Sequence, residues 1–444
     1  MHNTNSEAQA VATAAAKEVD PTISDTLLVD FNLVIKAGTP SGDLLQSLFD
    51  TYLKDHAEDF SGTETNRKFK KAVEMILANL INCYSQNYAA LLFPVGSRHL
   101  DKSRYQPNYV TRTTIPKAVE LLESVGLITK ITGTGLFVHS ATSMDGNLIS
   151  KAREATRLIL NPKIDLGLCS HSDFEIVPES EVVVLKGKKL TPSSTADLVD
   201  YSDDSELGKA IAEHIRPSVR AINDFTAIHP IEYSGDLKVN RSSLKYRRVF
   251  NEGSIELGGR YFGHHAQYIP SVERVNLRID GCPVIDLDYQ NMHLNLALYL
   301  AGADEPCTGD AFTIEGYEQY RKQFKTVAYA MMNTSRPLQT WTKDLQSFRQ
   351  VWPYKFKDFK AILLKHQPLL AQFDGKEIGR KLMNLESKII TRACINMINM
   401  NYGFLILHDG LLVPSSAAYA EGCMSEAYQY FTGWKPVITS TKHF

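Results

Sequence analysis

Apolar residues recur at helical spacing in the first third of the chain. Residues 67–82 (RKFKKAVEMILANLIN) place apolar side chains every three or four positions, which predicts a helix with a basic first turn. Its predicted buried face consists of Phe69, Val73, Ile76, Leu77 and Leu80. Upstream, apart from an apolar run at 27–35, residues 1–60 are predicted to form a tail and a partly ordered segment.

A second helix is predicted to begin near residue 114. Thr113 or Thr114 can cap it, Pro116 suits its first turn, and Gly126 can supply the left-handed residue at its end. The predicted buried stripe consists of Val119, Leu122 and Val125.

A hairpin is predicted directly after this helix. Alternating apolar positions predict a strand at 127–131, and a glycine turn at 133–135 leads to a returning strand at 136–138. A helix followed by such a hairpin resembles the recognition helix and wing of winged-helix DNA-binding domains. The resemblance implies a DNA-binding module over residues 61–150.

Local charge is consistent with this interpretation. Residues 66–131 contain ten Lys or Arg and four Asp or Glu, and such a basic face suits contacts with phosphates. Arg112 and Lys117 are the candidate nucleic-acid contacts at the start of the second helix. The alternative is an ordinary small domain whose charged face is simply solvated.

Composition limits the classes of protein that the 444 residues can form. Hydrophobic residues make up 43% and charged residues 22%, which is typical of a globular protein. The net charge of -2 excludes a globally basic nucleic-acid coat. We expect no membrane span and no signal peptide, and the six cysteines form no CxxC pair, so a soluble, cytoplasmic protein without a zinc site or disulfide framework is expected.

Two aspartates end an apolar run in residues 284–302 (VIDLDYQNMHLNLALYLAG). The β-branched start predicts a buried strand that ends at Asp286 and Asp288, and an amphipathic helix should follow, with Met292, Leu296 and Leu300 on its apolar face. A carboxylate at the end of a buried strand is costly unless it is paired or binds a cation. Hard cations such as Mg²⁺ take oxygen ligands, so these positions are candidate metal ligands.

A third aspartate interrupts a second apolar segment, residues 404–413 (FLILHDGLLV). The pattern predicts a hairpin whose tight turn contains His408 and Asp409. Carboxylates from two adjacent buried strands can together hold two Mg²⁺ ions for phosphoryl transfer. The alternative is an aspartate that caps a helix and another that merely occupies a turn.

Two cations and an aromatic residue share one face of a predicted helix in residues 320–333 (YRKQFKTVAYAMMN). Arg321, Lys325 and Tyr329 are spaced by four residues and should lie along one stripe. Such a stripe suits a triphosphate with a base stacked at its far end. A solvated helix face and a core tyrosine are the alternatives.

In this order, the three segments resemble motifs A, B and C of family A (polymerase I-like) DNA polymerases and the related single-subunit phage RNA polymerases. The resemblance covers roughly residues 250–415. It implies that Asp288 and Asp409 are the metal ligands and that His408 neighbours the primer end. It further implies that Arg321 and Lys325 contact the triphosphate and that Tyr329 stacks on the nucleotide.

Residues 258–270 (GGRYFGHHAQYIP) are similar to another stretch of the same family. The similarity implies that Arg260 and Gln267 contact the primer–template. Two Mg²⁺ ions are the implied cofactors, with Mn²⁺ as a substitute. The implied partners are a DNA primer–template or a single-stranded nucleic acid, together with nucleoside triphosphates.

Several positions depart from the family pattern. His293 replaces the glutamate that excludes ribose, so it becomes a candidate nucleotide-binding residue whose sugar preference is open. Asn295, Ala330, Asn333 and Gly410 also differ from the family residues. Asp288 and Asp409 are 121 positions apart, which is short for the family, and no proofreading exonuclease pattern precedes them.

The fold class expected from these patterns is α+β, a right-hand polymerase palm and fingers with an N-terminal winged-helix-like domain. Residues 151–250 would connect the domains, with a possible reduced thumb, and residues 251–444 would form the polymerase core. The predicted function is a DNA polymerase that extends a primer 3′-hydroxyl, in keeping with a mobile element. The alternatives are an RNA polymerase, primase or terminal transferase that uses ribonucleotides, and a non-catalytic DNA-binding replication protein.

Some polar residues are expected to have structural roles. Asp286 should support the site without binding metal, and the histidines of residues 264 and 265 should be ordinary stacking residues. Glu386, on a predicted helix over residues 376–400, either faces the site or lies on the surface.

Overall fold

A computed structural model describes residues 26–93, 104–132, 156–161, 168–177, 180–189, 196–237, 240, 243–352 and 355–443. The chain forms two compact units, Met1–Glu181 with Asp236–Lys245, and Val182–Gly235 with Tyr246–Phe444. Helices and sheets occur together in both, which confirms the α+β class. The palm, fingers and winged-helix arrangement and the finer division into four segments stay predictions.

The described part of the first unit combines helices with two small sheets. Its helices are α1 (Pro40–Tyr52), α2 (Glu64–Ser85) and α3 (Thr114–Ser124), with 3-10 turns at Lys54–Phe60 and His171–Asp173. Its strands are β1 (Thr26–Leu28), β2 (Leu33–Ile35), β3 (Ala90–Phe93), β4 (Ile128–Ile131), β5 (Thr156–Leu160) and β6 (Phe174–Ile176). The larger sheet has the order β1-β3-β5-β4, and β2 pairs antiparallel with β6.

Helix α2 confirms the first predicted helix but is buried more widely than its apolar stripe suggests. Thr63 caps it by accepting a hydrogen bond from the Asn66 amide at 3.2 Å. From Ala72 to Cys83 almost every side chain is buried, because α1, α3 and the larger sheet pack around this half of the helix. The predicted apolar stripe therefore lies on the buried side of the helix, but the buried surface is wider than the stripe.

Helix α3 confirms the second predicted helix, with a different cap. Thr111 Oγ1, and not Thr113, accepts a hydrogen bond from the Thr114 amide at 3.0 Å. Gly126 has the predicted left-handed conformation, with φ +76°. Arg112 and Lys117 are both exposed at the start of this helix.

Strand β4 confirms the strand that was predicted after α3. It pairs antiparallel with β5, and Lys130 lies opposite Leu158. The predicted turn at 133–135 and returning strand at 136–138 lie outside the described residues. The wing of a winged-helix domain therefore stays a prediction.

The second unit carries the segments that contain the candidate chemistry. Its helices are α4 (Glu206–Ala210), a π-helical turn Ile211–Ile215, α5 (Arg216–Ala227), α6 (Met292–Leu300), α7 (Arg321–Asn333), α8 (Gln346–Val351), α9 (Phe356–His366), α10 (Gly379–Asn399) and α11 (Ala420–Thr432). Its 3-10 turns are His265–Tyr268, Ser271–Asn276, Glu318–Tyr320, Lys343–Leu345 and Pro368–Phe373.

Two sheets organise the strands of this unit. The strands are β7 (Val183–Leu185), β8 (Ile231–Tyr233), β9 (Arg247–Asn251), β10 (Ser254–Phe262), β11 (Leu277–Ile279), β12 (Cys282–Tyr289), β13 (Leu405–Leu407), β14 (Gly410–Pro414) and β15 (Ile438–Lys442). One sheet has the order β10-β9-β7. The other has the order β13-β14-β12-β11-β8, with β15 paired to β12, so β12 is a central strand.

Helix α6 is buried on all sides over residues 292–298, so the prediction of an amphipathic helix after Asp288 is wrong. Helix α10 and the turn Pro368–Phe373 pack against it, and even its polar residues His293 and Asn295 are buried. Leu300, which was predicted to be in the core, is 48% exposed at the helix end. A short apolar run does not by itself distinguish these two arrangements.

Helix α10 is the long element that holds strand β10 in place. Side-chain hydrogen bonds join the two: Asn384 Nδ2 donates to the Ile255 carbonyl oxygen at 2.8 Å, and the hydroxyls of Thr391 and Tyr261 lie 2.7 Å apart. Ser387 accepts a hydrogen bond from the buried Arg248 on β9 at 2.7 Å. This face of α10 therefore holds β10 at several points along the strand.

Among the described residues, no helix is long and apolar enough to cross a membrane.

Candidate active site

Asp288 and Asp409 lie at the same edge of the larger sheet of the second unit. Asp288 is near the end of β12, and Asp409 is in the tight turn between β13 and β14, as predicted. The antiparallel register places Asp288 opposite Gly410, the residue directly after Asp409. We call Asp288 and Asp409 the carboxylate edge.

Gly410 provides the space that the Asp288 carboxylate occupies. A methyl group at Gly410 would lie 2.0 Å from Asp288 Oδ1 and 2.6 Å from the Leu287 carbonyl oxygen, both far inside van der Waals contact. The absence of an acidic side chain at this position, a departure from the family pattern, therefore has a steric reason. Any larger residue would displace the Asp288 carboxylate.

The carboxylate edge carries negative charge that only the more distant cations Arg274 and Arg260 offset among the described residues. Although Asp288 is solvent-exposed as a residue, crowding by protein atoms partly desolvates its carboxylate and, together with the charges of Asp286 and Asp409, raises its pKa to about 6. Within the described ranges, neither side chain forms a hydrogen bond or ion pair with another residue. A site of this kind is stabilised by binding a cation.

The donor set of the carboxylate edge fits Mg²⁺. In the described part of the chain, no group of three or more His, Cys, Asp or Glu side chains is arranged to hold a metal ion. Mg²⁺ does not require such a cage, because it usually keeps several waters and binds one or two carboxylates together with substrate phosphates. Two carboxylates that form no ion pair with any other described residue therefore suffice.

Asp286 differs from Asp288 although both belong to β12. It forms an ion pair with Arg274, and His443 Nε2 lies 3.8 Å from Asp286 Oδ2. Asp286 is also buried. The geometry supports the prediction that Asp286 has a structural role beside the carboxylate edge.

Helix α7 carries the three residues that were predicted to share one face. The Lys325 ammonium lies 5.8 Å from the centre of the Tyr329 ring. Tyr329 is half-buried, and its pKa is raised to about 12 by burial and by the charges of Asp409 and Glu386. The structure therefore places Tyr329 within electrostatic range of the carboxylate edge, with Lys325 one turn away.

Arg321, one further turn away, is already paired. Its guanidinium forms an ion pair with Asp310, and both side chains are substantially exposed. Burial acts to raise the pKa of Asp310, but the hydrogen bonds from Arg321, the Phe312 amide and Thr313, together with the charge of Arg321, hold it below the ordinary value. A triphosphate would have to replace Asp310 as the partner of Arg321.

His408 sits beside Asp409 in the hairpin turn, with the uncommon left-handed φ of +56°. Its ring lies 5.5 Å from the ring of Phe262 on β10. Burial and the charge of Arg260 lower the pKa of His408, although Asp409 opposes the shift. His408 is therefore held as a neutral ring next to the carboxylate edge at ordinary pH.

Glu386 forms a second centre of charge that the sequence did not resolve. Its side chain is fully buried on α10, which excludes the surface alternative. The carboxylate accepts hydrogen bonds from Arg260 Nε and Nη2, both at 2.6 Å, and lies 2.7 Å from His293 Nε2. We call Glu386, Arg260 and His293 the buried cluster.

The buried cluster is electrostatically satisfied. Burial alone would raise the pKa of Glu386, but the hydrogen bonds and charges of His293 and Arg260 hold it below the ordinary value. His293 is 7% exposed, and its ring lies 6.0 Å from the ring of Tyr329. The cluster therefore borders the same tyrosine as the carboxylate edge does.

The side chain of Gln267 forms three hydrogen bonds with backbone atoms. Its Nε2 donates to the carbonyl oxygens of Tyr261 at 3.0 Å and Ile406 at 3.2 Å, and its Oε1 accepts from the Gly263 amide at 3.1 Å. These bonds support the hairpin strand that precedes Asp409. Contact of Gln267 with a primer–template stays a prediction.

His264 and His265 are stacking residues. The ring of His264 stacks on Tyr246 at 4.9 Å and on His265 at 4.7 Å. Both histidines are buried, as expected for residues that pack within the fold.

Comparison with known proteins adds little to this geometry. No protein-family model and no curated protein matches the chain. Among solved structures, the chain is similar to the POL domain of Pol1 from M. smegmatis in complex with a DNA primer-template and dNTP. The TM-score is 0.32 with 11% sequence identity, covering 90% of this chain and 72% of that chain. This is a weak resemblance to a polymerase at the level of the fold, and no residue role follows from it.

Proposed function

We propose that the chain is a template-directed nucleotidyltransferase that extends a primer 3′-hydroxyl with nucleoside triphosphates. The observation that supports the proposal is the carboxylate edge, one acidic side chain near the end of β12 and another in the adjoining turn, neither of which has a hydrogen-bond or ion-pair partner among the described residues. Its neighbourhood includes a lysine and a half-buried tyrosine on one helix face. The order of these segments along the chain is that of the polymerase motifs.

In this proposal, Asp288 and Asp409 supply the oxygen ligands. Two bound Mg²⁺ ions would provide the Lewis-acid chemistry of an in-line displacement, activating the hydroxyl and neutralising the leaving pyrophosphate. Asp288 has to be ionised to act as a ligand, and its pKa of about 6 places that requirement close to physiological pH. Activity should therefore be lost as the pH falls through about 6.

The remaining side chains position the nucleotide. Lys325 is exposed on α7 and would neutralise phosphate oxygens, and Arg321 would join it after release from Asp310. Tyr329 would stack on the base, with Lys325 one turn earlier on the same face. His408, neutral and beside Asp409, would contact the primer end.

A primer-extension assay tests the proposal. Labelled primer–template is incubated with deoxyribonucleotides or ribonucleotides and with Mg²⁺ or Mn²⁺. We expect extension by the wild type and a loss of at least about a thousandfold in Asp288→Asn and in Asp409→Asn. Circular dichroism should show that both variants are folded.

The matched control is Glu256→Gln. Glu256 is a carboxylate on β10 that pairs with Lys388 at the surface, so its loss should leave extension unchanged. Full activity of Asp288→Asn would contradict the proposal. Binding of DNA without Mg²⁺-dependent binding of triphosphates would instead favour a non-catalytic replication protein, with Arg112 and Lys117 as its candidate contacts.

A further inference from the structure

The two aspartates of β12 project from the same face of the strand. Both β14 and β15 pair with β12 over residues 285–288 without a register shift, so its side chains alternate regularly between the two faces. Asp286 and Asp288 are two residues apart and therefore point the same way. After burial, the charge of Asp286 raises the pKa of Asp288 more than the charge of Asp409 does, in agreement with a short separation. Asp286 thus borders the carboxylate edge.

Only one of the two carboxylate oxygens of Asp286 has a partner among the described residues. Its Oδ2 accepts a hydrogen bond from Arg274 Nη1. Its Oδ1 is buried and forms no hydrogen bond with any described residue, and the side chain as a whole belongs to a residue that is 7% exposed. A buried acceptor that no donor reaches costs about 1–3 kcal/mol. Asp286 Oδ1 is therefore arranged to receive a donor that the described residues do not supply.

His443, directly after β15, has a buried atom in the same condition. It is 9% exposed, and its Nε2 has no hydrogen-bond partner in the described part of the chain. This nitrogen lies 3.8 Å from Asp286 Oδ2, which is too far for a direct hydrogen bond. Two buried polar atoms on adjacent side chains, both without partners, match one water molecule. The geometry therefore favours a water position between Asp286 and His443.

A water bound to Mg²⁺ differs from an ordinary buried water in its hydrogen bonding. Mg²⁺ keeps several waters when it binds one or two carboxylates, and a lone pair of each such water is directed at the ion. These waters therefore act as donors. Arginine also can only donate, whereas an ionised carboxylate has two acceptor oxygens. Asp286 can thus accept from Arg274 with one oxygen and from a metal-bound water with the other.

We propose that Asp286 is a positioning residue whose Oδ1 accepts a hydrogen bond from a water of the Mg²⁺ ion that Asp288 binds. This inference rests on the proposed function. Asp286 does not itself bind the ion, and Arg274 orients its carboxylate by holding Oδ2. The resemblance to the polymerase motifs assigns metal roles to Asp288 and Asp409 alone.

Two double variants with the same charge isolate the acceptor. Asp286→Asn with Arg274→Gln, and Asp286→Leu with Arg274→Met, each remove one negative and one positive charge. In the amide pair, the Asn oxygen can still accept from the water while its amino group donates to the Gln oxygen. In the apolar pair, no acceptor remains. Replacement of a buried ion pair by apolar residues of similar volume is often neutral for stability, so both variants should fold.

Binding of Mn²⁺ to the full-length chain gives a readout that does not depend on activity. Electron paramagnetic resonance measures the free ion in a titration without nucleotide or nucleic acid. We expect the apolar pair to bind Mn²⁺ about tenfold more weakly than the wild type, and the amide pair to bind within about threefold of it. The control, Glu256→Gln with Lys388→Gln, removes an exposed ion pair and should leave the affinity unchanged.

The other outcomes separate this inference from the proposed function. Equal affinities of the amide and apolar pairs would overturn the inference, because an ordinary buried water or a purely structural ion pair predicts that result. Asp288→Asn should abolish Mn²⁺ binding. Unchanged binding in Asp288→Asn, or no binding by the wild type, would overturn the proposed metal site and the inference with it. If the apolar pair does not fold, Asp286→Val with Arg274→Leu decides the same question.

Discussion

The carboxylate edge and the buried cluster use the same chemical group in opposite ways. Asp288 is exposed as a residue, yet its pKa is raised to about 6 by crowding and by the charges of neighbouring aspartates. Glu386 is fully buried, yet its pKa is lowered below the ordinary value. Burial alone would predict the reverse order, so the presence or absence of cationic partners decides the difference.

The contrast distinguishes a group held for binding from a group held for structure. Glu386 has its partners, Arg260 and His293, built into the fold. Asp288 and Asp409 lack such a partner among the described residues, and the fold places them together at a cost. Unneutralised groups of this kind are characteristic of sites that acquire their counter-charge from a ligand.

The largest effect should come from breaking the buried cluster. Glu386→Leu removes the only carboxylate that Arg260 contacts among the described residues and leaves a partly buried guanidinium unpaired. Removal of one partner from a buried ion pair typically costs about 3–5 kcal/mol. We expect the free energy of unfolding in urea to fall by about 3 kcal/mol.

Lys388→Gln is the control for this measurement. It breaks an exposed ion pair between the same two elements and should cost at most about 1 kcal/mol. A loss in Glu386→Leu no greater than that of Lys388→Gln would show that the buried cluster does not stabilise the fold.

The carboxylate edge could be predicted because its parts are local. The strand that carries Asp288 near its end and the turn that contains Asp409 each follow from a short apolar pattern, and the stripe from Lys325 to Tyr329 follows from helical spacing. Arg321 was placed on the correct helix, but its pairing with Asp310 depends on a loop with no periodic pattern.

The buried cluster could not be predicted in the same way, because its parts are distant in sequence. Arg260 and Glu386 are 126 positions apart. One signal was nevertheless present: Glu386 falls on the same helical face as four apolar residues that are all fully buried. They are Leu382, Ile389, Ile390 and Ala393. A carboxylate within an apolar stripe indicates a buried, partnered group, but the partners are visible only in the folded chain.

A smaller effect should come from neutralising the carboxylate edge. The pKa of Asp288 is about 6 in the folded state against an ordinary value of 3.8, so between these pH values the folded state binds more protons than the unfolded state. Stability therefore falls as the pH rises from about 4 to 6, and the penalty is complete above pH 6. Asp288→Asn should raise Tm at pH 8 when no divalent cation is present.

Mg²⁺ should remove the same penalty in the wild type. A cation that binds only the folded state stabilises it in proportion to its affinity and concentration, so Tm at pH 8 should rise with added Mg²⁺. The rise should be absent in Asp288→Asn, although both proteins experience the same ionic strength. An equal rise in Tm with Mg²⁺ in the two proteins would contradict the assignment of Asp288 as a metal ligand.

The smallest effect should come from the two cations of helix α7. They too differ in whether the protein supplies a partner of opposite charge. Lys325 has no carboxylate partner among the described residues, whereas Arg321 is held by Asp310 in an exposed ion pair. Such pairs contribute only about 0.2–1 kcal/mol, so Asp310→Asn should lower the KM for triphosphate by roughly twofold to fivefold in the extension assay.

Glu318→Gln is the control. It removes a nearby exposed carboxylate that contacts the Gly316 amide and not Arg321, so the KM for triphosphate should not change. An equal fall in KM in both variants would mean that general charge, and not release of Arg321, governs triphosphate binding.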